Sequence, residues 1–104
     1  MIRHCVMLQL AADADRAVLD RVMLDLADLV ERLEGCGGFC AGPNRDYEGK
    51  TPGFVYGFTF DADSPAALAA YAVHPDHVAL GAELVALCVG GGAGIRVYDI
   101  EAPA

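Results

Sequence analysis

Hydrophobic positions change their period along this chain, and the changes mark its elements. Residues 2–10 alternate: Ile2, His4, Val6, Leu8 and Leu10 fall on one face of a strand, Arg3, Cys5, Met7 and Gln9 on the other. Beyond its first residues both faces are largely apolar, so both are expected to be covered. Residues 14–34 switch to a helical period. Val18, Val22, Leu26, Leu29 and Leu33 form a stripe, widened by Leu19, Met23 and Val30, and Asp20, Arg21, Asp25, Asp28, Glu31 and Arg32 form the wet side. Asp13 or Asp15 can cap its start, and Gly35 can end it.

A second strand over residues 36–46 is weakly written, because Gly37, Gly38, Gly42 and Pro43 interrupt it. Residues 47–53 are rich in turn formers and predict a loop. Residues 54–61 give the clearest strand: Phe54, Tyr56, Phe58 and Phe60 share one face at period two and read as a packing surface. Ser64-Pro65 is a helix start, cap then first-turn proline, for a helix reaching Tyr71. Pro75 then interrupts the helix, because the residue before a proline, here His74, is pushed out of helical conformation. A second helical piece is expected from Pro75 to near Val89, then a flexible connector at Gly90-Gly91-Gly92-Ala93-Gly94 and a last strand from Ile95 to Glu101. The order βαββαβ predicts an α+β, ferredoxin-like plait: one domain over residues 1–104, a four-stranded antiparallel sheet with helices on one face.

Composition bears on the uncovered face of that sheet. A chain of 104 residues buries only roughly 60–65% of its unfolded surface. Yet 55% of its residues are hydrophobic, and the mean hydropathy is +0.35. A second copy that set its own sheet against the open face would absorb the excess and close a dimeric α/β barrel, so a homodimer is expected. The net charge of −8, from 15 acids against 7 bases, argues against a nucleic-acid partner and against an anionic membrane surface. No segment approaches the roughly 20 apolar residues of a membrane span, and Met1-Ile2-Arg3-His4-Cys5 lacks the shape of a signal peptide. A cytoplasmic location follows as the expectation, with the four cysteines as reduced thiols. Cys36 and Cys40 are spaced C-x3-C rather than C-x2-C, and Cys5 and Cys88 stand in apolar runs as small core hydrophobes.

Chemistry concentrates in Tyr71-Ala72-Val73-His74-Pro75-Asp76-His77-Val78, where two of the three histidines flank a proline close to a tyrosine. As an imidazole, the His77 side chain can take a proton from carbon beside a carbonyl. Tyr71 can donate a hydrogen bond to that carbonyl as charge develops. The competing reading of His77 is a ring packed at the helix break and bonded to a backbone carbonyl. His74 is a substrate-binding candidate, weighed against a structural role bonding freed backbone groups at the break. His4, on the apolar face of the first strand, is a second substrate-binding candidate, weighed against a satisfied buried histidine. No metal site is expected: His74 and His77 are i, i+3 across a proline, not the i, i+4 pair of a helical zinc site.

These residues resemble the stress-responsive dimeric α/β-barrel (Dabb) family. The matching pieces are Met1-Ile2-Arg3-His4, Gly42-Pro43-Asn44, the phrase Tyr71-x-x-His74-Pro75-x-His77, and Asp99 near the end of the last strand. Most of that family has no assigned reaction. One plant member is a polyketide cyclase that closes a linear polyketide by aldol condensation with no metal or cofactor. The resemblance implies that Tyr71 and His77 match its catalytic tyrosine and histidine, and that His4 matches a further active-site histidine. The chain departs from that enzyme in the connector at 90–94 and in its pocket-shaping residues, so substrate identity does not carry over. Two classes of function result. One is a cofactor-free cyclase, isomerase or lyase acting on a small oxo or polyketide-like compound, with Tyr71 and His77 as the acid–base pair. The other is a non-catalytic stress-associated dimer that binds an apolar ligand or acts by its own stability. A small apolar or oxo-acid compound is the expected ligand. A further neighbour is the antibiotic-biosynthesis monooxygenase type; the lack of tryptophan and the single Asn44 weigh against its haem-degrading branch.

Overall fold

Strand β1 (Ile2–Leu8) runs through the middle of the sheet, antiparallel to β3 (Tyr56–Ala62) on one side and to β4 (Ile95–Glu101) on the other. This computed structural model describes residues 1–103. Strand β2 (Cys36–Pro43) pairs antiparallel with β3, giving the sheet order β2-β3-β1-β4. Helices α1 (Arg16–Arg32), α2 (Pro65–Val73) and α3 (Pro75–Leu87) form a second layer, and a 3-10 turn at Gly91–Gly94 leads into β4. This is the expected ferredoxin-like βαββαβ plait, its second helix split in two at Pro75.

Register decides which residues meet the helices. His4 lies opposite Phe60 and Asp99, Val6 opposite Phe58 and Val97, and Leu8 opposite Tyr56 and Ile95. All of these therefore share one face of the sheet. On it, His4, Val6, Leu8, Phe58 and Phe60 are buried against Leu19, Val22, Leu26, Leu29 and Val30 of α1. Cys5 lies opposite Tyr98 and Met7 opposite Arg96 on the other face. Among the described residues no helix covers that face, and Tyr98 and Ile100 stand 53% and 55% exposed there. Cys88 joins the core as expected, whereas Cys5, expected there too, sits half-buried on the open face.

Element ends follow local chemistry. The Asp15 carboxylate accepts from the N–H groups of Ala17 and Val18, at 2.9 and 3.4 Å, and starts α1. Gly35, at φ +80°, turns the chain from α1 into β2. Strand β1 stops at Leu8 because Gln9 bonds across to the connector, its N–H to Gly94 and its carbonyl to Val89. Strand β2 stops at Pro43 because Asn44 organises the next loop: its Nδ2 donates to the Phe54 carbonyl at 2.7 Å and to Thr51 Oγ1 at 2.9 Å. That bond draws Phe54 out of the expected aromatic stripe, which begins at Tyr56 instead. The Phe54 ring lies beneath Arg96, beside Met7 and Tyr98, towards the open face.

Candidate functional site

The break at His74-Pro75 builds the site. Ser64 Oγ accepts from the Ala67 N–H at 3.2 Å and starts α2, whose alanines carry the chain to Tyr71. His74 is extended (φ −62°, ψ 132°), as a residue before proline should be. Its N–H bonds the Tyr71 carbonyl at 3.1 Å, and its ring Nδ1 accepts from the Asp76 N–H at 3.1 Å. So His74 closes α2 and caps α3, with Pro75 as the first helical residue. One turn into α3, His77 comes back over the end of α2. Its Nδ1 lies 2.9 Å from the Ala72 carbonyl, and its ring centroid lies 4.3 Å from that of Tyr71.

Beside these rings lies a cavity of about 250 Å³ between the helices and the sheet. Four polar residues line it: His4, Tyr71, His77 and Asp99. The rest of the lining is apolar and includes Val6, Leu26, Phe58, Leu84 and Val97. Because β4 is the sheet edge, Val97 is 49% exposed and the Asp99 side chain 45% exposed. The mouth opens at this edge. Tyr71 is 1% exposed, and its hydroxyl is buried with no hydrogen-bond partner among the described residues. The Tyr71 ring meets Phe60 edge-on at 4.7 Å and His4 at 5.7 Å. His4 Nδ1 lies 2.5 Å from Asp99 Oδ1, a contact between neighbouring strands that the register dictates.

Protonation follows from these partners. A carbonyl can only accept, so His77 carries its proton on Nδ1 and leaves the Nε2 lone pair free. The same reasoning puts a proton on His4 Nδ1, facing the Asp99 carboxylate. Burial pushes the Tyr71 phenol well above its ordinary range, so it stays protonated and acts as a donor rather than a base. One cavity thus holds a fixed donor, an imidazole with a free lone pair, and an Asp–His dyad.

Three of the four residues singled out in the sequence converge here: Tyr71, His77 and His4. The fourth does not. His74, a substrate-binding candidate, lies outside the cavity lining, and its ring is occupied in capping α3. The Nδ1 of His77 meets a backbone carbonyl at the helix break, as the packed reading expects, and its ring also lines the cavity. Gly81 of α3 also lines the cavity and escaped the sequence reading. Its signal was available: a glycine inside a helical stretch, which costs about 0.5–1 kcal/mol against alanine. Among the described residues, no three His, Cys, Asp or Glu side chains gather as a metal site would need.

Comparison with known proteins places this geometry. A dimeric ferredoxin-like protein of unknown function from Jannaschia sp. is 40% identical, with a TM-score of 0.91 over 97% of this chain and 98% of that one. A protein of Arabidopsis thaliana is 19% identical, with a TM-score of 0.83 over 100% and 97% of the two chains. A hydroxynitrile lyase from Passiflora edulis is 16% identical, with a TM-score of 0.78 over 95% and 90%. The last two likenesses are of fold alone. No protein of curated function matches the chain by sequence. Among the described residues no helix is long and apolar enough to cross a membrane. The model of the stress responsive A/B barrel domain matches residues 2–102, and the chain therefore belongs to the Dabb family.

Proposed function

We propose that the chain is a cytoplasmic homodimer and a cofactor-free proton-transfer enzyme, a cyclase, isomerase or lyase acting on a small oxo compound. The observation that carries this reading is the Tyr71 hydroxyl, buried without a partner in the wall of a cavity that also holds His77. A buried hydroxyl left unbonded costs about 1–3 kcal/mol, so a ligand that accepts from it recovers that loss. A carbonyl oxygen at Tyr71 would place its α-carbon near His77. Nε2 takes the α-proton, the electron pair moves onto the carbonyl oxygen, and the phenol hydrogen bond strengthens as that oxygen becomes an enolate. The imidazolium then returns the proton to a carbon or to a leaving oxygen. The His4–Asp99 dyad lines the same cavity beside Tyr71 and can orient the substrate's second polar group.

Dimerisation is supported by the bare sheet face and by the dimeric description of the Jannaschia relative. The apolar lining favours a second reading, a protein that holds a small apolar ligand without reacting it.

One experiment separates the two: solvent deuterium exchange into the α-position of simple ketones, followed by NMR. Enzyme-catalysed exchange is expected. His77→Ala should slow it by about 10²–10⁴-fold and Tyr71→Phe by about 10²–10³-fold, with both variants still folded. Background exchange by the wild-type protein across the panel, or exchange unchanged in His77→Ala, overturns the enzyme reading. Sedimentation giving only monomer at micromolar concentration overturns the homodimer.

A further inference from the structure

Gly81 stands in the interior of α3, one turn beyond His77 and on the same side of the helix. Its backbone is not left-handed, and a Cβ built on it meets no atom within 4 Å. Gly94 shows the contrast: a Cβ there would strike the Val89 carbonyl oxygen, so packing demands glycine. At Gly81 neither conformation nor crowding demands it. Alanine would strengthen the helix, and the open space over Gly81 belongs to the cavity. That space continues from the polar groups to Leu84, one turn further along α3. Asp99, paired with His4, stands at the mouth, and among the described residues no lysine or arginine lines the cavity. A carboxylate entering there would meet the like charge of Asp99 with no lysine or arginine to offset it.

We infer that Gly81 is a specificity-determining residue: the space it leaves receives the apolar tail of an uncharged carbonyl compound whose reacting head lies at Tyr71 and His77. This deepens the proton-transfer reading above and rests on it. It narrows the substrate from oxo compounds in general to neutral ketones, aldehydes or esters, and it sets oxo acids aside.

The test is calorimetric titration of methyl ketones with alkyl tails from ethyl to hexyl, with heptanoate as the charged control. In the wild-type protein, affinity should rise by about fourfold per added methylene until the tail fills the space over Gly81. Gly81→Val should leave the ethyl ketone unchanged and weaken the hexyl ketone by about tenfold or more. Gly81→Ala, which folds at least as well as the wild type, should melt at an equal or higher temperature and weaken only the longest ketones. Heptanoate should bind at least about tenfold more weakly than the hexyl ketone. The inference is overturned if Gly81→Val and Gly81→Ala bind the hexyl ketone as tightly as the wild type. A lower melting temperature for Gly81→Ala, or heptanoate binding equal to the hexyl ketone, also overturns it. Failure of the underlying reading looks different: Tyr71→Phe would leave every ketone's affinity untouched while Gly81→Val still sorted them by length. If no ketone binds the wild-type protein, both fall together.

Discussion

The two halves of the helical layer are built on opposite plans. Helix α1 is one 17-residue amphipathic rod that buries Leu19, Val22, Met23, Leu26, Leu29 and Val30, none more than 6% exposed. The α2–α3 half is broken at Pro75, rich in alanine, and buries only Tyr71, Leu80, Leu84 and Leu87. The first half buries its apolar stripe on the sheet. The second leaves a cavity of about 250 Å³ and sets a tyrosine and a histidine in its wall. Stability and chemistry are thus divided between helices over one sheet, and substitutions in each half should fail differently.

The largest contrast is expected from matched leucines. Leu29→Ala empties a fully packed site and should cost about 2–5 kcal/mol in urea unfolding. Leu84→Ala enlarges a space that already exists, so its loss should fall near the low end, about 2 kcal/mol. Equal losses would mean that the second half is packed as tightly as the first.

Tyr71→Phe should reverse the sign. It removes a buried hydroxyl with no partner, and the variant should be more stable by on the order of 1 kcal/mol while proton transfer collapses. Alkali gives an independent reading of the same group. The folded phenol is raised above its unfolded value, so the unfolded chain releases its proton first. Its contribution is complete below about pH 10 and is lost as pH rises beyond that. The wild-type minus Tyr71→Phe stability difference should stay level up to about pH 10 and then move against the wild type. A difference that stays level through that range would mean that the hydroxyl is not desolvated.

Caps come next. His74→Ala should cost about 1 kcal/mol by exposing the first turn of α3, and His74→Asn, which can cap in its place, should restore most of it. Catalysis should follow stability in both variants. A loss of exchange in a stable His74→Asn protein would return His74 to the substrate.

What the sequence made legible tracks how local its causes are. Period and caps were enough for α1 and for the break at Pro75, because both depend on residues a few positions apart. The three converging residues were legible from chemistry and spacing, but their convergence was not. The contact of His4 with Asp99 spans 95 residues and exists only through the β1–β4 register. Phe54 misled because an Asn44 side chain ten residues away takes its carbonyl and delays the start of the strand to Tyr56. Gly81 was passed over because a glycine inside a helix shows its cost in the sequence but not the empty volume beside it.

The smallest effect concerns how the two halves are joined. Arg21 and Arg32 of α1 reach Glu83 and Asp76 of α3, while also pairing with Asp25 and Asp28 on their own helix. All these side chains are substantially exposed, from 40% to 69%. Pairs so wet are worth about 0–1 kcal/mol and fade with salt. Arg21→Ala should therefore shift stability by less than about 0.5 kcal/mol, and less again in 1 M salt. If it cost more than a core leucine, the surface pairs would be what holds α3 against α1. The cavity would then be a space propped open by charge. A near-silent Arg21→Ala leaves the joint to Leu80 and Leu87, buried with α1 in one core, and makes the cavity a property of the apolar side chains that stop short of filling it.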